Sequence, residues 1–160
     1  MLVTGVCNPP GELHGQYNGL WLTGEEMQRI VDTRELQGVP VKTEHSGGDV
    51  GRVVSSFLDD QGRLHAVMDI QEDSVEGALT AGFIKDGIAA DLSLGYSVDV
   101  AHSKSDDALK AGAKKLLEVS IVRKGAREGC HINAYSEAGK EVVFVAQQER
   151  SCWDEFGLQC

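Results

Sequence analysis

The chain has 160 residues and a formal net charge of −10, from 25 acidic and 15 basic side chains. That balance argues against a nucleic-acid binder, which needs a basic stripe to neutralise phosphates, and no run approaches the roughly 18 apolar residues of a membrane helix. The length and a hydrophobic fraction of 41% allow one domain with its own core, and 19 glycines fit a turn-rich fold.

Leu2 to Cys7 reads as a first strand, stopped by Asn8-Pro9-Pro10-Gly11. A loop rich in Gly, Gln and Asn follows. Thr23 with Glu26 forms a capping box ahead of Met27, Ile30 and Val31, whose spacing predicts a helix ending near Arg34. Val39 and Val41 alternate with Pro40 and Lys42, so a strand is expected to run into His45, with a short polar loop after it. Val50 to Leu58 and Leu64 to Ile70 are β-rich runs joined by the turn Asp59-Asp60-Gln61-Gly62. Asp73 with Glu76 gives a second capping box, and a helix from Val75 to Ile84. Leu92 to Val100 alternates as a strand, and 101–112 is a polar loop. Leu116 to Val122 is a further strand. Glu141 to Val145 is a last strand or a helical turn. The segment 147–160 reads as a tail or linker, which leaves 1–146 as the domain.

At least six strands and two helices predict a mainly β fold with peripheral helices (α+β), a β-barrel or strongly curved sheet with helices outside. The four cysteines, Cys7, Cys130, Cys152 and Cys160, include no C-x-x-C, and the five histidines show no H-x-H or H-E-x-x-H spacing. No metal and no cofactor are expected. The first residues carry no basic segment, so no secretory signal is expected and reduced thiols in an intracellular setting are the default.

Three patches carry residues capable of chemistry: Thr43-Glu44-His45, Asp91-Leu92-Ser93-Leu94-Gly95-Tyr96, and Glu118-Val119-Ser120-Ile121-Val122 followed by Gly125-Ala126-Arg127-Glu128-Gly129. A serine hydroxyl needs an adjacent base before it can attack a carbonyl. Histidine, with an unperturbed pKa of about 6.5, suits that task, and it needs a partner that fixes its tautomer. The oxyanion then needs donors, each worth about 2.7–4 kcal/mol. Alternation puts Asp91, Ser93, Gly95 and Ser97 on one face, and Leu92, Leu94, Tyr96 and Val98 on the core face. It gives Leu117, Val119 and Ile121 one apolar face, and sets Glu118 beside Ser120 on the other. A glutamate among apolar neighbours needs a partner to stay charged, and a histidinium would serve. Taken singly, each of these residues has an ordinary reading as a strand or surface side chain. Ser97 and Ser120 are rival serines, and Asp91 and Glu44 rival acids. Cys130-His131 is a poor pair, because adjacent strand residues point opposite ways.

In combination, Val39 to Ile132 resembles the capsid-maturation serine proteases shared by tailed phages and herpesviruses, the prohead protease and assemblin group. There a histidine closes a strand ahead of a polar loop and Val-Gly, as His45 does ahead of Val50-Gly51. The serine lies in a strand of the pattern Leu-Ser-Leu-Gly, matched by Leu92 to Gly95. A later strand of the form acid-or-His, Val, Ser or Ala, apolar is matched by Glu118 to Ile121. The resemblance implies a closed or nearly closed β-barrel surrounded by helices. It implies His45, Ser93 and Glu118 as the triad, and Arg127 with the backbone N–H of Ala126 at the oxyanion; the herpesvirus pattern has a second arginine, where this chain has Ala126. It implies scaffold and capsid proteins as substrates, self-cleavage, action inside a viral procapsid within the infected host cell, and a homodimer in keeping with other members. Neither nucleic acid nor membrane is among the expected partners. The alternative is a non-catalytic β-barrel structural protein of a virion or phage-like particle.

Overall fold

A Thr23 side chain that accepts from Glu26 N–H, while the Glu26 carboxylate accepts from Thr23 N–H, starts the first helix as its capping box predicts. The computed structural model describes residues 1–11, 22–99, 113–136 and 143–144. In chain order these form β1 (Leu2–Asn8), α1 (Gly24–Asp32), β2 (Pro40–Thr43), β3 (Ser46–Leu58), β4 (Leu64–Ile70), α2 (Val75–Lys85), β5 (Asp91–Val98), β6 (Lys114–Val122), β7 (Ile132–Ser136) and β8 (Val143–Phe144). The polar loop expected at 101–112 and the tail at 147–160 lie outside the described residues. No helix among those described is long and apolar enough to cross a membrane.

The strands form one sheet in the order β5-β6-β2-β3-β4-β1-β7-β8. All neighbours are antiparallel except β2 and β6, which run parallel with Val41 opposite Val119 and Thr43 opposite Ile121. One inner face buries Val3, Val41, Val53, Met68, Leu92, Val119 and Ile121 with Met27 and Ile30 of α1 and Leu36 beyond it. Lys114 at the start of β6 reaches across to α1, its Nζ 3.0 Å from Glu26 Oε1.

Of the closed or nearly closed barrel that the resemblance implies, the closed form is not what the described residues make. The sheet curls until the start of β5 meets the chain ahead of β7, through an isolated bridge between Asp91 and His131 and the bonds Leu92 N–H to Cys130 O and Ile132 N–H to Ala90 O. No continuous ladder joins the two sides among the described residues, and two helices cannot surround a sheet of eight strands. β8 pairs outward on β7.

Three local expectations also change. Ser74, not Asp73, caps α2, because its Oγ is the group that accepts from Gly77 N–H. The polar stretch Ser46 to Asp49 is strand, because the chain reverses earlier, at Glu44 and His45. The strict alternation read for β6 breaks at Leu117: Gly95 pairs Glu118 while Tyr96 pairs Leu116, so Leu117 is an extra residue that faces solvent. The ambiguous segment near the end resolves as the short strand β8.

The β3–β4 hairpin is held by one carboxylate. Asp59 Oδ1 accepts from Gln61 and Arg63 N–H at 2.9 and 3.0 Å, and Oδ2 meets Arg63 Nε at 2.7 Å and His65 Nε2 at 2.8 Å. The His65 ring stacks on its cross-strand partner Phe57, centroids 4.6 Å apart. Partial burial works against the Asp59 charge, but the bonds from His65, Arg63 and Gln61 outweigh it and hold the carboxyl well below the usual range. A depressed folded pKa means the stabilisation is complete above the unfolded value of about 3.9 and is lost as pH falls below it. Asp59→Asn should therefore cost about 1–3 kcal/mol at neutral pH. The deficit should shrink in urea denaturation repeated at successively lower pH; a pH-independent gap would reject this account.

Candidate active site

His45 occupies a tight turn that its own sequence does not favour. Thr43 pairs with Ser46, so Glu44 and His45 are the two central residues of the β2–β3 reversal, and both have positive φ, 51° and 58°. Such a turn matches the twist of the strands but favours Asn-Gly. Two residues with full side chains adopt it here because the neighbouring strand holds the turn from behind. Glu44 N–H donates to Ile121 O, and Glu44 Oε1 accepts from Arg123 N–H at 2.8 Å. His45 N–H donates to Ser120 Oγ at 3.1 Å.

The parallel pairing of β2 with β6 sets this turn over Glu118. His45 Nδ1 lies 2.5 Å from Glu118 Oε1, and Ser120 Oγ donates to Glu118 Oε2. The His45 side chain is 47% exposed and the Glu118 carboxylate only 12%, so the carboxylate sits behind the ring, on the side away from water. With Nδ1–H donated to Glu118, Nε2 is left as the basic atom of the ring. Gly95 faces Glu118 across β5 and β6, and a Cβ there would collide with Glu118 Oε1 and lie 3.0 Å from its Cδ. The glycine is the space in which the carboxylate fits.

Ser93 is the cross-strand partner of Ser120 and is 9% exposed. It lines a cleft of about 190 Å³ with His45, Gly95, Tyr96, Ala126 and Arg127; Cys7, Asn8 and Cys130 complete the polar and thiol groups of its wall. Arg127 is tied at the rim by a bond from Nη1 to Gly11 O at 3.0 Å. Burial raises the Tyr96 phenol, against the pull of the Arg127 guanidinium, so the hydroxyl keeps its proton. Burial likewise pushes the Cys130 thiol up to about 12 and raises Cys7, beside it, as well. Neither thiol is a ready nucleophile in this cleft.

His45, Ser93, Ala126 and Arg127 are thus brought to one cleft, with Glu118 behind His45. The rivals have other partners or surroundings. Asp91 bonds His131, Glu44 is turned to Arg123, Ser97 faces solvent, and Ser120 is fully buried between His45 and Glu118. That double attachment of Ser120 was not read from the sequence, although its position two residues from Glu118 on one face is the signal for it. Asn8 and the two thiols carried no such signal, since they reach the cleft from β1 and from the chain ahead of β7. Among the described residues no group of three His, Cys, Asp or Glu is placed to hold a metal ion.

No family model and no curated protein matches the chain. The crystal structure of the Kaposi's sarcoma-associated herpesvirus (KSHV) protease with a hexapeptide phosphonate inhibitor is similar, with a TM-score of 0.55 and 15% identity over 86% of this chain. The fold is similar to that of a herpesvirus protease. This chain spans 66% of that protein's length. A second KSHV protease structure, with a dimer disruptor, has a TM-score of 0.48 and 18% identity, covering 82% of this chain and 74% of that one.

Gly95→Ala should displace Glu118 and break its bond to His45, seen by NMR as loss of the downfield His45 Nδ1–H resonance in a chain that still folds. A retained resonance would show that the pocket for the carboxylate is not tight. Ser120→Ala leaves Glu118 Oε2 and His45 N–H without their shared partner, and should cost about 1–3 kcal/mol in urea denaturation.

Proposed function

We propose that the chain is a serine endopeptidase in which Ser93 is the nucleophile, His45 the general base and acid, and Glu118 the group that orients His45. The observation that carries this reading is His45 Nδ1 on Glu118, 2.5 Å away, in a turn that borders the same cleft as Ser93. That pairing fixes the tautomer with Nε2 basic, which is what a serine nucleophile requires. Ser93 Oγ attacks the scissile carbonyl carbon and its proton passes to His45 Nε2. The imidazolium so formed is stabilised by Glu118. Negative charge on the carbonyl oxygen is met by Ala126 N–H and the Arg127 guanidinium at the cleft wall. His45 returns the proton to the leaving amine, and water repeats the sequence in reverse to free Ser93.

The likeness in fold to a viral protease supports a proteolytic rather than an esterolytic reading of this chemistry. By the sequence resemblance, the substrates are scaffold and capsid precursor proteins, and the chain itself, within a viral procapsid; a homodimer accords with the same resemblance. The resemblance to prohead proteases of phages rests on the motifs around His45, Ser93 and Glu118.

A fluorophosphonate probe should add one adduct mass to the parent, mapped to Ser93 by peptide mass spectrometry. Ser93→Ala should take none, and His45→Ala should react about 10⁶-fold more slowly. Co-expression with a scaffold precursor should yield cleaved scaffold with the parent and intact scaffold with Ser93→Ala. A parent that neither reacts nor cleaves would turn the reading to a non-catalytic structural protein with this fold.

A further inference from the structure

One buried carboxylate near the cleft takes no part in the scheme above. Asp91 lies two residues before Ser93 on β5, and its side chain is 6% exposed. Oδ2 accepts from Gly125 N–H at 2.8 Å, and Oδ1 lies 2.7 Å from His131 Nδ1. Both partners belong to the stretch that carries Ala126 and Arg127. A carboxylate so far out of water is costly unless its oxygens are well bonded, so its position dictates where those partners sit.

Other contacts fasten the same stretch to the same strand. Leu92 N–H donates to Cys130 O at 2.8 Å, and Ile132 N–H donates to Ala90 O at 2.9 Å. At the other end, Gly125 lies against β5 so closely that a Cβ would stand 2.9 Å from Leu92 O. The segment from Gly125 to His131 is therefore a loop pinned at both ends to residues 90–92, immediately before the serine. Ala126 and Arg127 are the first two residues after the Asp91-bonded glycine.

We infer that Asp91 is a positioning residue for oxyanion stabilisation: by holding Gly125 N–H it sets the Ala126 N–H and Arg127 at a fixed distance from Ser93, and His131 holds the carboxylate in that orientation. The inference rests on the serine protease reading. It gives the acid that stood as a rival for the triad a different task, on the far side of the serine from Glu118. Asp91 acts through Gly125 and does not touch substrate.

The test compares phosphonylation of Ser93 by a fluorophosphonate, which builds charge on an oxygen in the oxyanion site, with the His45 Nδ1–H resonance, which reports the His45–Glu118 pair. Asp91→Ala should slow phosphonylation about 10²-fold, the scale of one lost oxyanion donor, and keep the resonance. Asp91→Asn keeps an acceptor for Gly125 N–H and should recover most of the rate. A rate for Asp91→Ala close to that of the parent would overturn the inference. So would Asp91→Asn as slow as Asp91→Ala with the resonance intact, since the charge and not the bond to Gly125 would then matter. If Asp91→Ala loses the resonance with its fold, Gly125→Ala decides: slow phosphonylation with the resonance kept supports the inference, and an unchanged rate overturns it. A parent that Ser93 chemistry never labels counts against the protease reading itself, which separates the two failures.

Discussion

The Glu118 carboxylate is the constraint around which this end of the molecule is arranged. It is largely removed from water, and a carboxylate there is costly unless both oxygens are bonded. Oε1 takes His45 Nδ1 and Oε2 takes the Ser120 hydroxyl. Each partner sets a further demand. Ser120 must also accept from His45 N–H, which fixes the turn backbone as well as the ring. Gly95 must lack a side chain, because the carboxylate occupies the place of one. The parallel run of β2 beside β6 is the architecture that meets these demands together, since it delivers a turn from one strand onto a side chain of the next.

Much of this was legible in the chain, for identifiable reasons. Thr23 with Glu26, and the Asp59–Gly62 turn, are local signals whose physics is complete within a few residues, and they hold as read. In the structure Ser93 lines the cleft and Glu118 meets His45. What failed depended on partners distant in sequence. The reversal at Glu44-His45 is invisible locally, because neither residue favours positive φ and the support comes from Ile121, Ser120 and Arg123. The bulge at Leu117 is set by pairing with β5, so alternation alone put that leucine on the wrong face. Whether the curved sheet closes was left open by the sequence, because closure depends on pairing between strands far apart in the chain, which periodicity does not state.

The cleft itself joins three levels of the chain. Its floor is β5, its near wall is the His45 turn, and its far wall is the Gly125–His131 loop with β1 behind it. Two buried cysteines stand in that wall beside a serine. Their thiols are held protonated by burial, which disfavours them as nucleophiles.

The His45 turn is held in place by β6 rather than by its own residues, and this ties chemical competence to one seam of the sheet. If β6 parts from β2, the turn loses Ser120, Ile121 and Arg123 together and has no local reason to keep its left-handed backbone. The histidine would swing off its carboxylate while the β3–β4 hairpin kept its own pairing. Local opening costs less than global unfolding, so the His45–Glu118 pair would be lost before the β3–β4 hairpin. The pairing of His45 with Glu118 thus exists only while β2 and β6 are joined.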